Sequence, residues 1–217
     1  YGLVGSEMCI RDSIYGGEDY DARREQKGWN QIGFDDSHWR PVVVQEAPKG
    51  ILRPQMAAPV KIMERYDIQK VTKLNAEQIA SASISTKRTV DPSAFVLDMG
   101  QNLAGFPEIT VRGKRGQKVT LIVAEALTDE GACNQRQTGR QHYYEYTLKG
   151  EGVETWHPRF SYYGFRYIQV EGAVLKGQKN TLHLPVIQKI QSCFVYNSAP
   201  KAVSYTHLRA HETVLDL

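Results

Sequence analysis

Between Phe95 and Leu127 the chain reads FVLDMGQNLAGFPEITVRGKRGQKVTLIVAEAL, and this stretch limits the fold more than any other. Phe95-Val96-Leu97 is an apolar run. Ile109 and Val111 then alternate with polar residues, and Val119, Leu121 and Val123 repeat the pattern, as half-buried strands do. Gly113-Lys114-Arg115-Gly116 between them predicts a tight turn. Gly100 and Gly105 are expected to bracket another turn, one that needs unusual dihedrals or a close backbone approach. Local physics therefore predicts an antiparallel β-hairpin with a polar entrance loop.

The remaining segments fit the same class. The prolines at 54 and 59 suggest an extended entry into a strand through Lys61–Glu64, with Val60 and Ile62 facing the core, and a second short strand lies between Ile68 and Leu74. Asn75-Ala76-Glu77-Gln78 could cap one helical turn. Asp129–Gln141 is polar and reads as a long loop. Tyr144, Tyr146 and Leu148 share a strand face, Val153–His157 pairs next, and Phe165–Val170 and 185–196 are further strands. By simple alternation Arg166 lies on the face of Ile168 and Val170, where a buried guanidinium needs a carboxylate or carbonyls. Trp29 and Trp39 are expected as core anchors. Eight or more strands with Gly/Pro turns indicate an all-β, antiparallel β-sandwich.

With 217 residues and 41% hydrophobic side chains the chain can build a sizeable core. Its 27 basic and 24 acidic residues are scattered rather than striped, which argues against a nucleic-acid partner. No apolar run approaches the roughly 18 residues that cross a membrane. Cys9, Cys133 and Cys193 show no CxxC spacing; free thiols are expected for Cys133 and Cys193, with one bridge as the alternative in an oxidising compartment. Residues 1–13 and 202–217 differ in character from the rest and are expected to be non-native tails. His207 and His211 are set aside with them, although four-residue spacing can imitate a metal pair.

Three stretches in order carry a resemblance: YGGEDYDARREQKGW with IGFDDSHW at 15–39, DMGQNLAG through AEAL at 98–127, and WHPRFSYYGFRYIQVEG at 156–172. Over roughly residues 14–201 the chain resembles bacterial α-L-rhamnosidases of glycoside hydrolase family 78. The resemblance implies that residues 14–50 end an upstream β module, that 51–172 form a concanavalin-like sandwich, and that 173–201 lead toward a catalytic (α/α)6 barrel. It implies a parent enzyme that removes terminal, non-reducing α-L-rhamnose from glycosides with inversion. An inverting pair of carboxyls stands about 6.5–9.5 Å apart. The resemblance places that pair in the barrel, so no catalytic residue is assigned here and the chain alone is expected to be inactive. Its partners would be L-rhamnose-containing glycosides, through the whole enzyme, and the catalytic domain. The compartment, periplasmic, secreted or cytoplasmic, is left open.

Two site hypotheses stay beside this. Asp98, Glu108 and Glu125 are candidates for an acid–base pair, and Glu108 and Glu125 border the predicted hairpin and could approach one another, though strand-end carboxylates are commonly structural or solvated. Alternatively the module binds L-rhamnose through calcium, which takes hard oxygen ligands. Asp19, Asp21, Asp98 and Asn102 are the ligands of the right kind, and Trp29 or Tyr163 could stack on the sugar. No cofactor is required otherwise. A structural role is the expectation for Gly100, Gly105, Trp29, Trp39 and Arg166, as it is for the isolated His142, His157 and His183. A third possibility is a scaffold that only docks the barrel.

Overall fold

A computed structural model describes residues 10–13, 16–46, 49–51, 53–75, 77–78, 93–136 and 142–199, with only the backbone described for 10–13. The strands are β1 (Ile10–Ser13), β2 (Gly17–Asp21), β3 (Val60–Asp67), β4 (Lys70–Lys73), β5 (Phe95–Arg112), β6 (Lys118–Ala124) and β7 (Ala126–Leu127). They continue with β8 (Cys133–Asn134), β9 (Tyr143–Thr147), β10 (Val153–Trp156), β11 (Tyr163–Glu171), β12 (Val174–Leu175) and β13 (Val186–Asn197). Cys9, His207 and His211 lie outside the described residues.

The architecture is nearly all β, as expected. Eleven strands form one sheet in the order β1-β2-β9-β6-β11-β5-β13-β12, with β10 and β4 also on β5 and β3 on β13. Two short pairings, β2 on β9 and β12 on β13, are parallel; the rest are antiparallel. The sheet curls around one core. Trp156 of β10 packs on Tyr20 of β2 and Tyr146 of β9, with ring centroids 5.8 and 5.0 Å away, although β9 and β10 are not neighbours along the sheet. Around these rings the core collects Leu97, Ile109, Leu121, Phe165 and Ile187, each at most 1% exposed. Tyr144, Tyr146 and Leu148 are buried together, as their spacing predicts.

β5 is the spine, and it corrects the expected hairpin. It runs 18 residues without a break through both Gly100 and Gly105. Its first half pairs with β11 and β4, and its second half with β13 and β10. β6 does not pair with β5 at all, because β11 lies between them. The Gly113–Gly116 turn is real, closed by a Gln117 N–H to Lys114 carbonyl bond of 3.1 Å, but it carries the chain past β11 to β6, which pairs with β9 and β11. Gly105 is needed for close approach: a Cβ there would lie 1.8 Å from the Cys193 carbonyl oxygen on β13.

β6 is buried on both faces. Its outer side is covered by 125–136, so the described part of the predicted polar loop is packed rather than loose. Ala132 and Cys133 are fully buried, and buried Gln135 donates to the Val123 and His142 carbonyls. Asn75 and Gln78 exchange side-chain bonds to each other's backbone N–H at 2.8 and 2.9 Å, a reciprocal capping arrangement at the position where one capped turn was an option. Gln78 also reaches the Glu130 carbonyl and ties this turn to the 125–136 segment.

Four burial expectations are corrected. Val60 is 59% exposed and Ile62 only half-buried, because β3 is an outer strand on β13 with little beyond it. Trp29 is 49% exposed. Trp39 is half-buried against Phe34 and bonds Gln26 at 2.6 Å through its indole N–H. Both tryptophans sit in the 25–39 segment, which turns on itself through local hydrogen bonds instead of joining the sheet. The buried tryptophan is Trp156.

Candidate functional site

The DMGQN motif forms an irregular stretch of backbone in the sheet. Asp98 pairs with Tyr167 and Leu103 with Phe165, so Met99–Asn102 of β5 stand opposite the single residue Arg166 of β11. This is an enlarged β-bulge, a feature that re-aims side chains. Gly100 takes φ +83°, which disfavours any side chain, and its N–H donates to Asp98 Oδ1 at 2.8 Å. A Cβ at Gly100 would also come within 2.7 Å of the Gln69 side chain.

The bulge moves Arg166. Phe165 and Ile168 both enter the core although they are three apart, so the alternation slips between them. Arg166 therefore leaves the face of Ile168 and Val170 on which alternation alone places it. Its side chain is 40% exposed rather than buried, and it lies over the Tyr167 ring at 5.2 Å. The expected carboxylate partner is present: Nε and Nη2 of Arg166 donate to Oδ1 and Oδ2 of Asp98, both at 2.9 Å. The guanidinium holds the Asp98 carboxyl below the usual carboxylate range, against the opposing effect of burial and with help from the Gly100 amide.

Next to this pair, Asn102 Nδ2 donates to Glu125 Oε1 at 2.9 Å. Glu125 lies over Gly164, where a Cβ would be 2.9 Å from the same oxygen. Phe160 and Tyr162, 61% and 59% exposed, continue the line N-terminal to Gly164. Their loop is anchored from below. Glu18, almost fully buried on β2, accepts from the backbone N–H groups of Arg159 and Phe160 at 2.8–3.1 Å. A second buried carboxylate, Glu154, accepts from the Tyr146 hydroxyl and the Lys149 and Gly150 amides at 2.8–3.0 Å. Sequence reasoning passed over Glu18 and Glu154, since a lone glutamate in a strand reads as solvent-facing, although each shares a strand face with a buried aromatic residue, Tyr20 and Trp156. It also passed over Phe160 and Tyr162, whose loop position carries no periodic signal.

The four proposed calcium ligands do not form one site. Asp19 and Asp21 are on β2, Asp98 and Asn102 on β5, and three strands separate them in the sheet order. Asp21 caps the following 3-10 turn and pairs with Arg23 at 2.7 Å, which lowers its pKa. Among the described residues no three His, Cys, Asp or Glu side chains converge as a metal site. Glu108 pairs with Arg65 at 3.4 Å, and Glu125 with Asn102, so these carboxylates are held by separate partners on non-adjacent strands. Tyr163 is half-buried and stacks on His142 at 4.1 Å, with its ring turned toward the core. Cys133 and Cys193 are free and buried, and burial pushes their thiols up to about 12 and about 11.

A curled, nearly all-β sheet with a bulged spine defines the class of this protein as a β-sandwich domain. Residues 88–196 match the model of the bacterial alpha-L-rhamnosidase concanavalin-like domain, and residues 4–64 match that of the alpha-L-rhamnosidase N-terminal domain. The chain belongs to the bacterial α-L-rhamnosidase family. Among curated relatives, an alpha-L-rhamnosidase of Streptomyces avermitilis is 37% identical over 174 residues, which is 78% of this chain and 15% of the relative. One from Formosa agariphila is 34% identical over 175 residues, or 77% of this chain and 16% of the relative. The solved alpha-L-rhamnosidase of Dictyoglumus thermophilum superposes with a TM-score of 0.66 at 31% identity, over 86% of this chain and 19% of that one. The Streptomyces avermitilis enzyme, solved in complex with L-rhamnose, gives 0.63 at 30% identity, over 94% and 18%. The chain thus spans about one sixth of the length of the relatives it matches.

Proposed function

We propose that this chain is the non-catalytic β-sandwich portion of an α-L-rhamnosidase, and that the whole enzyme hydrolyses terminal α-L-rhamnose from glycosides with inversion. Residues 14–50 supply the end of the N-terminal module, 51–172 the bulk of the sandwich, and 173–201 its last strand and the way toward the catalytic portion. The observation that carries this is the family match over 88–196, coupled to the separate structural partners of Asp98, Glu108 and Glu125. General acid–base chemistry needs carboxyls free to exchange protons with substrate and water. Here they order backbone and neighbouring side chains instead. The sandwich would pack beside the catalytic domain and help position substrate.

The test is hydrolysis of an aryl α-L-rhamnoside. The chain alone should release no aglycone above background. Joined to the downstream portion of the Streptomyces avermitilis relative, it should restore turnover that the downstream portion lacks by itself. Hydrolysis by the isolated chain would overturn the reading, as would a joined polypeptide that folds and stays inactive.

A further inference from the structure

A buried carboxylate is a costly way to hold a loop whose side chains face water. Glu18 is 1% exposed, yet it is committed to the amides of Arg159 and Phe160. Along the loop and into β11 exposure alternates. Phe160, Tyr162 and Gly164 are open, whereas Ser161 and Tyr163 are turned inward and Phe165 is fully buried. The Ser161 and Tyr144 hydroxyls are both enclosed beneath the loop. The inward residues fix the backbone, and the outward ones are thereby presented as a row of two aromatic rings, then a gap at Gly164. The Glu125 carboxylate fills that gap, and Asn102 holds it in place at 2.9 Å.

Resting on the reading above, we propose that this row, Phe160–Tyr162 with Glu125 and Asn102, is a carbohydrate-binding track. It would take neutral sugar rings of the glycoside chain beyond the terminal rhamnose. The chemistry fits a sugar on two counts. Flat, rigidly mounted rings offer apolar surface to the C–H face of a pyranose. An ordered carboxylate beside a primary amide offers acceptors and donors at fixed positions for vicinal hydroxyls. The row is open along its length, so it suits a chain lying on the surface rather than a single enclosed ring. It uses none of the four oxygen ligands of the calcium hypothesis except Asn102, and that residue enters through its bond to Glu125.

The test is isothermal titration of the full 217-residue chain with an α-linked L-rhamnose trisaccharide, with and without chelator, and with monomeric L-rhamnose in parallel. Saturable trisaccharide binding, unchanged by chelator and weaker for the monomer, is expected. Tyr162→Ala and Glu125→Ala should each weaken it by about tenfold or more, the loss expected for one stacked ring or one charged hydrogen bond. Gly164→Ala, whose methyl displaces Glu125, should weaken it in the same direction. Leu182→Ala, an exposed control on another loop, should leave it unchanged. Melting curves show whether each variant is folded. No saturable binding by the folded chain overturns the proposal, and so does binding that survives both Tyr162→Ala and Glu125→Ala. A Tyr162→Ala chain that binds sugar normally but no longer restores activity to the joined enzyme would make the row a protein-docking face, which also overturns it. Failure here leaves the activity of the joined polypeptide untouched, so the two readings fail separately.

Discussion

Asp98 shows how one residue can look like a ligand and act as a lock. Both of its oxygens face the Arg166 fork, and one also caps Gly100 inside the bulge. Its folded-state pKa lies below the ordinary 3.8, so its contribution to stability is present above that pH and is lost as pH falls through the depressed folded value. Asp98→Asn should therefore lower the melting temperature by a few degrees at pH 7. The gap to the parent should shrink steadily once the pH drops below about 4. Thermal melts at both pH values decide it: an equal gap at pH 7 and in strong acid would mean that the carboxylate charge is not what stabilises the bulge. The loss at pH 7 is expected to be modest, because Arg166 keeps 40% of its side chain in water and exposed pairs are screened.

At the level of elements, the β5–β13 ladder depends on a missing side chain. A Cβ at Gly105 would stand 1.8 Å from a backbone oxygen of β13, and backbone cannot rotate away as a flexible side chain can. Gly105→Ala should cost at least about 3 kcal/mol, or about 6–12 °C in melting temperature for a domain of this size. Gly50→Ala, with nothing within 4 Å, should be neutral. A melt of Gly105→Ala that matches Gly50→Ala would show that the two strands can separate there at no cost. Gly105 was legible in the sequence as a special position, and so were most strands, since the apolar positions 119, 121, 123, 144, 146 and 148 are all buried, although the alternation gave no sign that β6 is covered on its other face too. Which strands pair was not legible. β5 and β6 are joined by a short glycine turn, the ordinary signature of a hairpin, yet β11 from some forty residues downstream separates them. Turn chemistry is local, whereas pairing is settled by long-range packing. The same limit misplaced Arg166: the slip between Phe165 and Ile168 arises from extra residues on the partner strand, and β11 carries no mark of it. The tryptophans of 25–39 failed for another reason, as residue type reports a preference for burial and not the presence of something to be buried against.

For the molecule as a whole, the open question is whether one curled sheet behaves as one cooperative unit, and its two described cysteines can answer it. Cys133 lies under the outer cover of β6, whereas Cys193 lies on β13 against β5 and β3, at the other end of the sheet order. Both are fully buried, and burial raises their thiols to about 12 and about 11, so in the folded chain neither presents appreciable thiolate at pH 8. Each becomes reactive only when its surroundings open. In a Cys9→Ser background, labelling with a thiol reagent across a urea series should give the same midpoint at both positions, because the core that joins Tyr20, Leu97, Phe165 and Ile187 runs through both halves. Exposure of Cys133 well before Cys193 would identify the 125–136 cover as a separately unfolding layer. Loss of Cys193 first would instead show that β3 and β13 peel from the spine, and that the second half of β5 needs a further neighbour to hold it.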